Sequence, residues 1–164
     1  MPSTAATTVD SLSLCALQMA HAAAMYRWML DPEVSRNIGL RTEPTLQKTE
    51  EWIKRASTSR EFFPLAIHWN GRHIGNVIFD QIAPDGSLAR LSTYLGEPDA
   101  RNQGLGTQAL RASIEKAFDE RGLQNIWLHV HSDNQRARRV YEKLGFRGDP
   151  DRMVLRREDW RLQA

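Results

Sequence analysis

The sequence predicts a mixed α/β fold of the α+β kind, with one twisted, mostly antiparallel sheet of about 6–7 strands and helices on both faces. Three observations carry this. Apolar residues alternate with strand period over 126–131 and recur with helical period between Ala137 and Leu144. Asn70-Gly71 and Ala83-Pro84-Asp85-Gly86 separate three successive runs of strand character. The loop Arg101-Asn102-Gln103-Gly104-Leu105-Gly106 runs directly into a helix-prone stretch that begins at Thr107.

Residues 1–9 read as a flexible tail, and 10–164 as a single domain long enough to bury a core. A first strand at 12–17 carries Cys15, read as a small buried hydrophobe. The alanine-rich stretch 19–29 is a helix that Asp31-Pro32 stops. Thr45 starts a second helix to about residue 57, with Trp52 and Ile53 turned inward. Strands at 62–69, 72–82 and 88–97 follow, then a helix over 107–120 and a strand over 126–131. Ser132-Asp133-Asn134 caps a helix that Gly145 ends, and a last strand covers about 152–158. The order is β, α, α, β, β, β, α, β, α, β, β. The strands flanking the 107–120 helix are parallel, joined by a right-handed crossover.

Composition narrows the function classes. With 41% hydrophobic and 26% charged residues the chain reads as an ordinary globular protein, and a net charge of +2 is too balanced to argue for nucleic acid. Arg136, Arg138, Arg139 and Lys143 cluster on one helix, but no interleaved aromatic platform accompanies them, so no nucleic-acid partner is expected. No run of 18 apolar residues suggests a membrane partner, and the N-terminus lacks a basic start and apolar stretch. One cysteine cannot form an internal disulfide, which suits a cytoplasmic protein.

The 101–106 loop is the first chemical motif. Its glycines leave backbone N–H groups at a helix start with no side chains in the way, and the helix dipole points at the same place. A pyrophosphate would fit; a plain strand-to-helix turn would use glycines the same way. The loop lacks the Gly-Lys-Ser/Thr ending of a phosphate-binding loop, and the third glycine and distal acid of a dinucleotide fold. In the second motif, Ile126, Leu128 and Val130 share one strand face, while Trp127, His129 and His131 share the other. Ala137, Val140, Tyr141 and Leu144 form one helical stripe, with Asn134 and Tyr141 two turns and about 10 Å apart.

Together, Arg101-Asn-Gln-Gly104-Leu-Gly106 and Asn134-x-x-Ala137-x-x-x-Tyr141-x-x-x-Gly145-Phe146 resemble the GNAT superfamily of acyl-CoA-dependent N-acetyltransferases. The stretch from Tyr26 to Val34 resembles its RimJ/RimL-type branch, which acts on N-terminal amines, polyamines and amino sugars. The resemblance implies a V-shaped splay between the two central parallel strands. It implies acetyl-CoA as acyl donor, its pyrophosphate held by the loop Arg101, Asn102, Gln103, Gly104, Leu105, Gly106, Thr107 and Gln108. The backbone of Leu95, Gly96 and Glu97 would pair with the pantetheine arm like a missing strand. Asn134 would bond that arm or the nearby loop, and Tyr141 would act as the general acid on the leaving thiolate. Asn102 departs from the family's usual glycine, small or basic residue without consequence for the loop.

The expected reaction is direct attack by a primary amine in a ternary complex; the rival is a non-catalytic acyl-CoA sensor or partner subunit of the same fold. Glu97, His129, His131 and Asp80 are candidate bases, and ordered water is the alternative. No metal is expected, because no cysteine or carboxylate cluster joins the two histidines. The acceptor, a small-molecule or peptide amine, would sit against the first two helices and their connection, with Trp28 and Asn37 as lining residues and Glu43, Glu50 and Glu51 nearby. The resemblance also allows a homodimer.

Overall fold

The computed structural model describes residues 11–38, 40–149 and 151–161. A seven-stranded sheet runs in the order β1-β2-β3-β4-β5-β7-β6, where β1 is Leu12–Ala16, β2 Phe63–Trp69, β3 Arg72–Asp80, β4 Ala89–Leu95, β5 Asn125–His129, β6 Arg147–Asp149 and β7 Arg152–Arg156. Every neighbouring pair is antiparallel except β4 with β5. The β2–β3 hairpin turns on Asn70 and Gly71, whose φ values of 52° and 79° are the positive pair that a tight hairpin demands.

The helices are α1 (Ala22–Met29), α2 (Pro32–Asn37), α3 (Leu46–Thr58), α4 (Leu105–Asp119), α5 (Gln135–Leu144) and α6 (Arg157–Arg161). They cover two sheet faces because strand side chains alternate. In β2, Leu65 and Ile67 join α4 residues such as Ala109, Ile114 and Phe118 in the larger core, whereas Ala66 joins Met25, Trp28, Val34 and Ile53 of α1–α3 in a second one.

Three local expectations are corrected. Asp31-Pro32 stops α1 and at once starts α2, because the Asp31 carboxylate caps the Glu33 N–H and proline sits in the first turn. Cys15 is exposed, since β1 is an edge strand with one covered face. The final strand stops at Arg156, whose guanidinium bonds Asp159 and draws the chain into α6.

The parallel pair positions the site. β4 and β5 pair only at Ala89–Ile126 and Arg90–Trp127, and then separate into a V. Its apex is closed by Gln124 N–H on the Gly86 carbonyl (3.0 Å) and the Asn125 side-chain amide on the Ser87 carbonyl (2.8 Å). Its open end faces the start of α4 on one side and α5 on the other.

Candidate active site

The loop after β4 is built around its backbone. Gly104, with φ 77°, precedes α4 in the left-handed region, and no side chain caps the helix there. Geometry leaves the N–H groups of Leu105, Gly106 and Thr107 without intrahelical partners, an end suited to an anion. A side chain at Gly106 would meet nothing nearer than Leu95 Cδ1 at 3.8 Å. Arg101 braces the loop from behind: its Nε donates to the Leu95 carbonyl at 3.2 Å and its guanidinium lies 3.5 Å from Glu33. Asn102 takes a positive φ of 63°, and the Gln103 side chain donates to the Asp99 carbonyl. Thr107 and Gln108 are exposed on the first turn of the helix.

At the end of β4 the N–H groups of Gly96 and Glu97 both donate to the Ile74 carbonyl, at 2.8 and 3.2 Å. Two donors on one acceptor is the signature of a bulge. The expectation that the backbone of Gly96 and Glu97 pairs with the pantetheine arm is corrected for their N–H groups, which are turned to β3. Hydrogen-bonding direction alternates along a strand, so the backbone of Leu95 faces the V instead. Gly96 is glycine because a Cβ there would lie 2.0 Å from the Trp28 ring.

That contact also relocates Trp28. It is 3% exposed, packs against Gly96, His73 and Tyr94, and donates its indole N–H to Glu97 Oε1 at 3.1 Å. It backs the loop and does not line a cleft, so the expected acceptor contact is corrected. Glu97 is also held by Arg27 and, at 4.0 Å, by Arg72. Asp80 is held by two bonds from Arg90, 2.8 and 2.6 Å. Both candidate carboxylate bases are thus committed to cations. The side chain of Asn37 lies outside the described residues.

A cleft of about 760 Å³ opens between α1–α3 and β3–β5. Tyr94, His129, His131 and Tyr141 lie on its sheet side. The two histidines are exposed, with ring centroids 5.2 Å apart. Tyr141 is half-buried against the larger core, and burial pushes its phenol above the usual tyrosine value. Asn134 caps α5 with its side-chain oxygen on Ala137 N–H (3.1 Å), leaving the rest of its amide toward solvent. Arg138, from the basic cluster, is tied to Glu142 and the Gly148 carbonyl; Arg136, Arg139 and Lys143 are exposed.

Sequence reasoning missed two groups. On the helical side of the cleft, Lys48, Thr49, Trp52 and Arg55 share one face of α3, and Arg36 comes from α2. Their spacing of one, four and seven residues from Lys48 was a readable signal; Glu50 and Glu51 lie off this lining. The second group is a histidine cluster. Gln18 N–H donates to His21 Nδ1 (2.9 Å), which places the His21 proton on Nε2, 3.0 Å from His68 Nε2. Cys15 Sγ is 4.0 Å from the same nitrogen. These three could offer donors to a cation, but the lone pair that a ligand needs on His21 Nε2 is occupied by its proton. His73 Nε2–H donates to Asn76 Oδ1, and the Asn76 amide donates to the Tyr94 hydroxyl, at 2.8 and 2.9 Å.

Comparison with known proteins agrees with this geometry. A family model described as an acetyltransferase (GNAT) domain matches residues 11–147. Mycothiol acetyltransferase of Paenarthrobacter aurescens (strain TC1) is 30% identical over 117 residues, 69% of this chain and 34% of that protein. The GCN5-related N-acetyltransferase 6, chloroplastic, of Arabidopsis thaliana is 26% identical over 62% of this chain and 39% of its own length. The chain thus spans about a third of the length of these relatives. Among solved structures, the aminoglycoside acetyltransferase AAC(6')-Ib with coenzyme A superposes with a TM-score of 0.78 at 23% identity, covering 94% of this chain and 100% of that one. Spermidine N-acetyltransferase from Vibrio cholerae, with CoA and spermine, gives 0.83 at 16% identity, covering 91% and 97%.

Proposed function

The chain belongs to the GNAT acetyltransferase family, and from that premise we propose that it moves an acetyl group from acetyl-CoA to a primary amine within a ternary complex. The observation that carries this reading is the V between β4 and β5, with uncapped amides at one side and the Tyr141 phenol at the other. The amides of Leu105, Gly106 and Thr107 would hold the diphosphate, and the Leu95 N–H the pantetheine arm, the Leu95 carbonyl already accepting from Arg101. The thioester then lies between the strands, with Tyr141 protonating the thiolate as it leaves. A branch affinity with RimJ/RimL-type enzymes and a cytoplasmic site of action belong to the same reading.

The amine must lose a proton first. An alkylammonium with a pKa near 10.4 is about 4.6 kcal/mol away from its reactive form at pH 7. With Glu97 and Asp80 bound to arginines, His129 and His131 are the candidate acceptors of that proton, directly or through water. The test is calorimetric titration with coenzyme A followed by an assay of free thiol release from acetyl-CoA over a panel of amines. Binding at micromolar affinity with amine-dependent thiol release is expected; no binding, or binding without any amine-dependent release, overturns the reading.

A further inference from the structure

The charge lining the acceptor side of the cleft departs from what a polycationic amine needs. Two acidic residues line it, Glu43 and Asp80, against four basic ones, Arg36, Lys48, Arg55 and Arg90. Asp80 and Arg90 neutralise each other through a two-pronged ion pair. That leaves three cations facing one carboxylate. Lys48 also reaches across to the Glu43 backbone carbonyl (3.0 Å), while Arg36 and Arg55 make no ion pair among the described residues. His129 and His131 add no negative charge in any state, and the phenols of Tyr94 and Tyr141, both pushed up by burial, are uncharged at neutral pH. A concave wall focuses such a field, so a polycation entering this cleft is repelled, whereas a carboxylate or phosphate is drawn to two unpaired guanidiniums.

Resting on the acetyltransferase reading, we infer that the acceptor is a small primary amine that itself carries an anionic group, a carboxylate or a phosphate, which Arg36 and Arg55 hold while the amine faces the V. The reaction balances without any further reagent: the neutral amine nitrogen forms the C–N bond and sheds one proton, the C–S bond breaks, and the thiolate takes one proton. Arg36 and Arg55 are specificity residues in this account; neither touches the reacting atoms.

The experiment compares matched acceptors in the thiol-release assay. Phosphoethanolamine is set against ethanolamine, and β-alanine against propylamine, so the phosphate and carboxylate arms report separately. Spermidine serves as the polycation. We expect kcat/KM for at least one anionic member to exceed that for its neutral partner and for spermidine by about tenfold, and this preference to shrink as salt rises from 20 to about 500 mM. Arg36→Glu and Arg55→Glu should each remove most of that preference through KM. Coenzyme A titration reports whether each variant is folded, and the salt series on the unmodified protein tests the same point if neither variant is. Turnover that favours spermidine or the neutral amines, or a preference indifferent to both salt and charge reversal, overturns the inference and leaves the acetyltransferase reading standing. Coenzyme A binding with no turnover of any panel member overturns it too. Loss of coenzyme A binding by the unmodified protein overturns the reading beneath it.

Discussion

Tyr141 is the side chain on which the proposed chemistry is most exposed to test. A general acid must hold its proton at working pH and release it to a basic thiolate. Burial pushes the Tyr141 phenol above its ordinary value of 10.0, so it stays protonated throughout the neutral range. The sign follows: any loss of turnover caused by its ionisation starts above that value, and kcat should show no falling limb between about pH 7 and 9 from this group. Tyr141→Phe should lower kcat by about a hundredfold at pH 7, the usual range for losing a positioned acid, while the coenzyme A dissociation constant stays nearly constant. Stopped-flow thiol release and calorimetry measure the two quantities. Equal kcat in both proteins would remove the acid role. Tyr94, the other phenol on the cleft, is a poorer donor: it is pushed up to about 12 by burial, and its oxygen already accepts from Asn76.

Between β4 and α4 the two loop glycines do different work, and the difference can be measured. Gly104 has φ 77°, so a side chain there is strained even though nothing lies within 4 Å of its Cβ position. Gly106 lies inside α4, with only ordinary contact at 3.8 Å. Gly104→Ala should therefore cost about 1 kcal/mol of stability, and Gly106→Ala should be neutral or slightly stabilising. Urea midpoints decide this, and a larger loss for Gly106→Ala would show that its role is misread. In coenzyme A titration, weakening by Gly106→Ala at unchanged stability would mean that a methyl there meets the ligand. This loop was legible beforehand because glycine at a helix start has few physical causes. The Asn70-Gly71 hairpin, the Thr45 cap and the Gly145 stop were legible for the same reason: each needs one residue type at one position. The bulge that turns Gly96 and Glu97 toward Ile74 was not legible, because it depends on Trp28 arriving from another element 68 residues earlier. Likewise, the ion pairs that commit Glu97 and Asp80 join residues whose partners no local pattern names.

Across the whole molecule, the α1–α3 layer meets the sheet through a polar seam as well as an apolar one. His73 on β3 sits in this seam, with ring centroids 4.6 Å from Trp28 and 4.5 Å from His21, and its Nδ1 is buried. Burial first, and then the neighbouring His21 and His68, lower its pKa to about 4, although the bond to Asn76 works the other way. His21 is lowered as well, chiefly by burial. In the unfolded chain both titrate near 6.5. Above that pH neither state holds the proton and the pair contributes nothing to pH dependence. Between about 6.5 and 4 the unfolded chain binds protons that the folded chain refuses, so stability falls as pH falls and levels off below the folded value. After discounting for partial solvent screening, the His73 share is roughly 1–2 kcal/mol. Urea unfolding at pH 7.0, 5.5 and 4.5 should thus show a decline that His73→Gln reduces by about that amount, with carboxylate contributions common to both proteins cancelling in the difference. Parallel curves would mean that His73 is protonated in the folded seam. Because the folded chain keeps His73 neutral down to about pH 4, its contacts to Trp28, and through Trp28 to Glu97, are the same at pH 7 and pH 5, and coenzyme A affinity should change with pH alike in the unmodified protein and the variant while both stay folded.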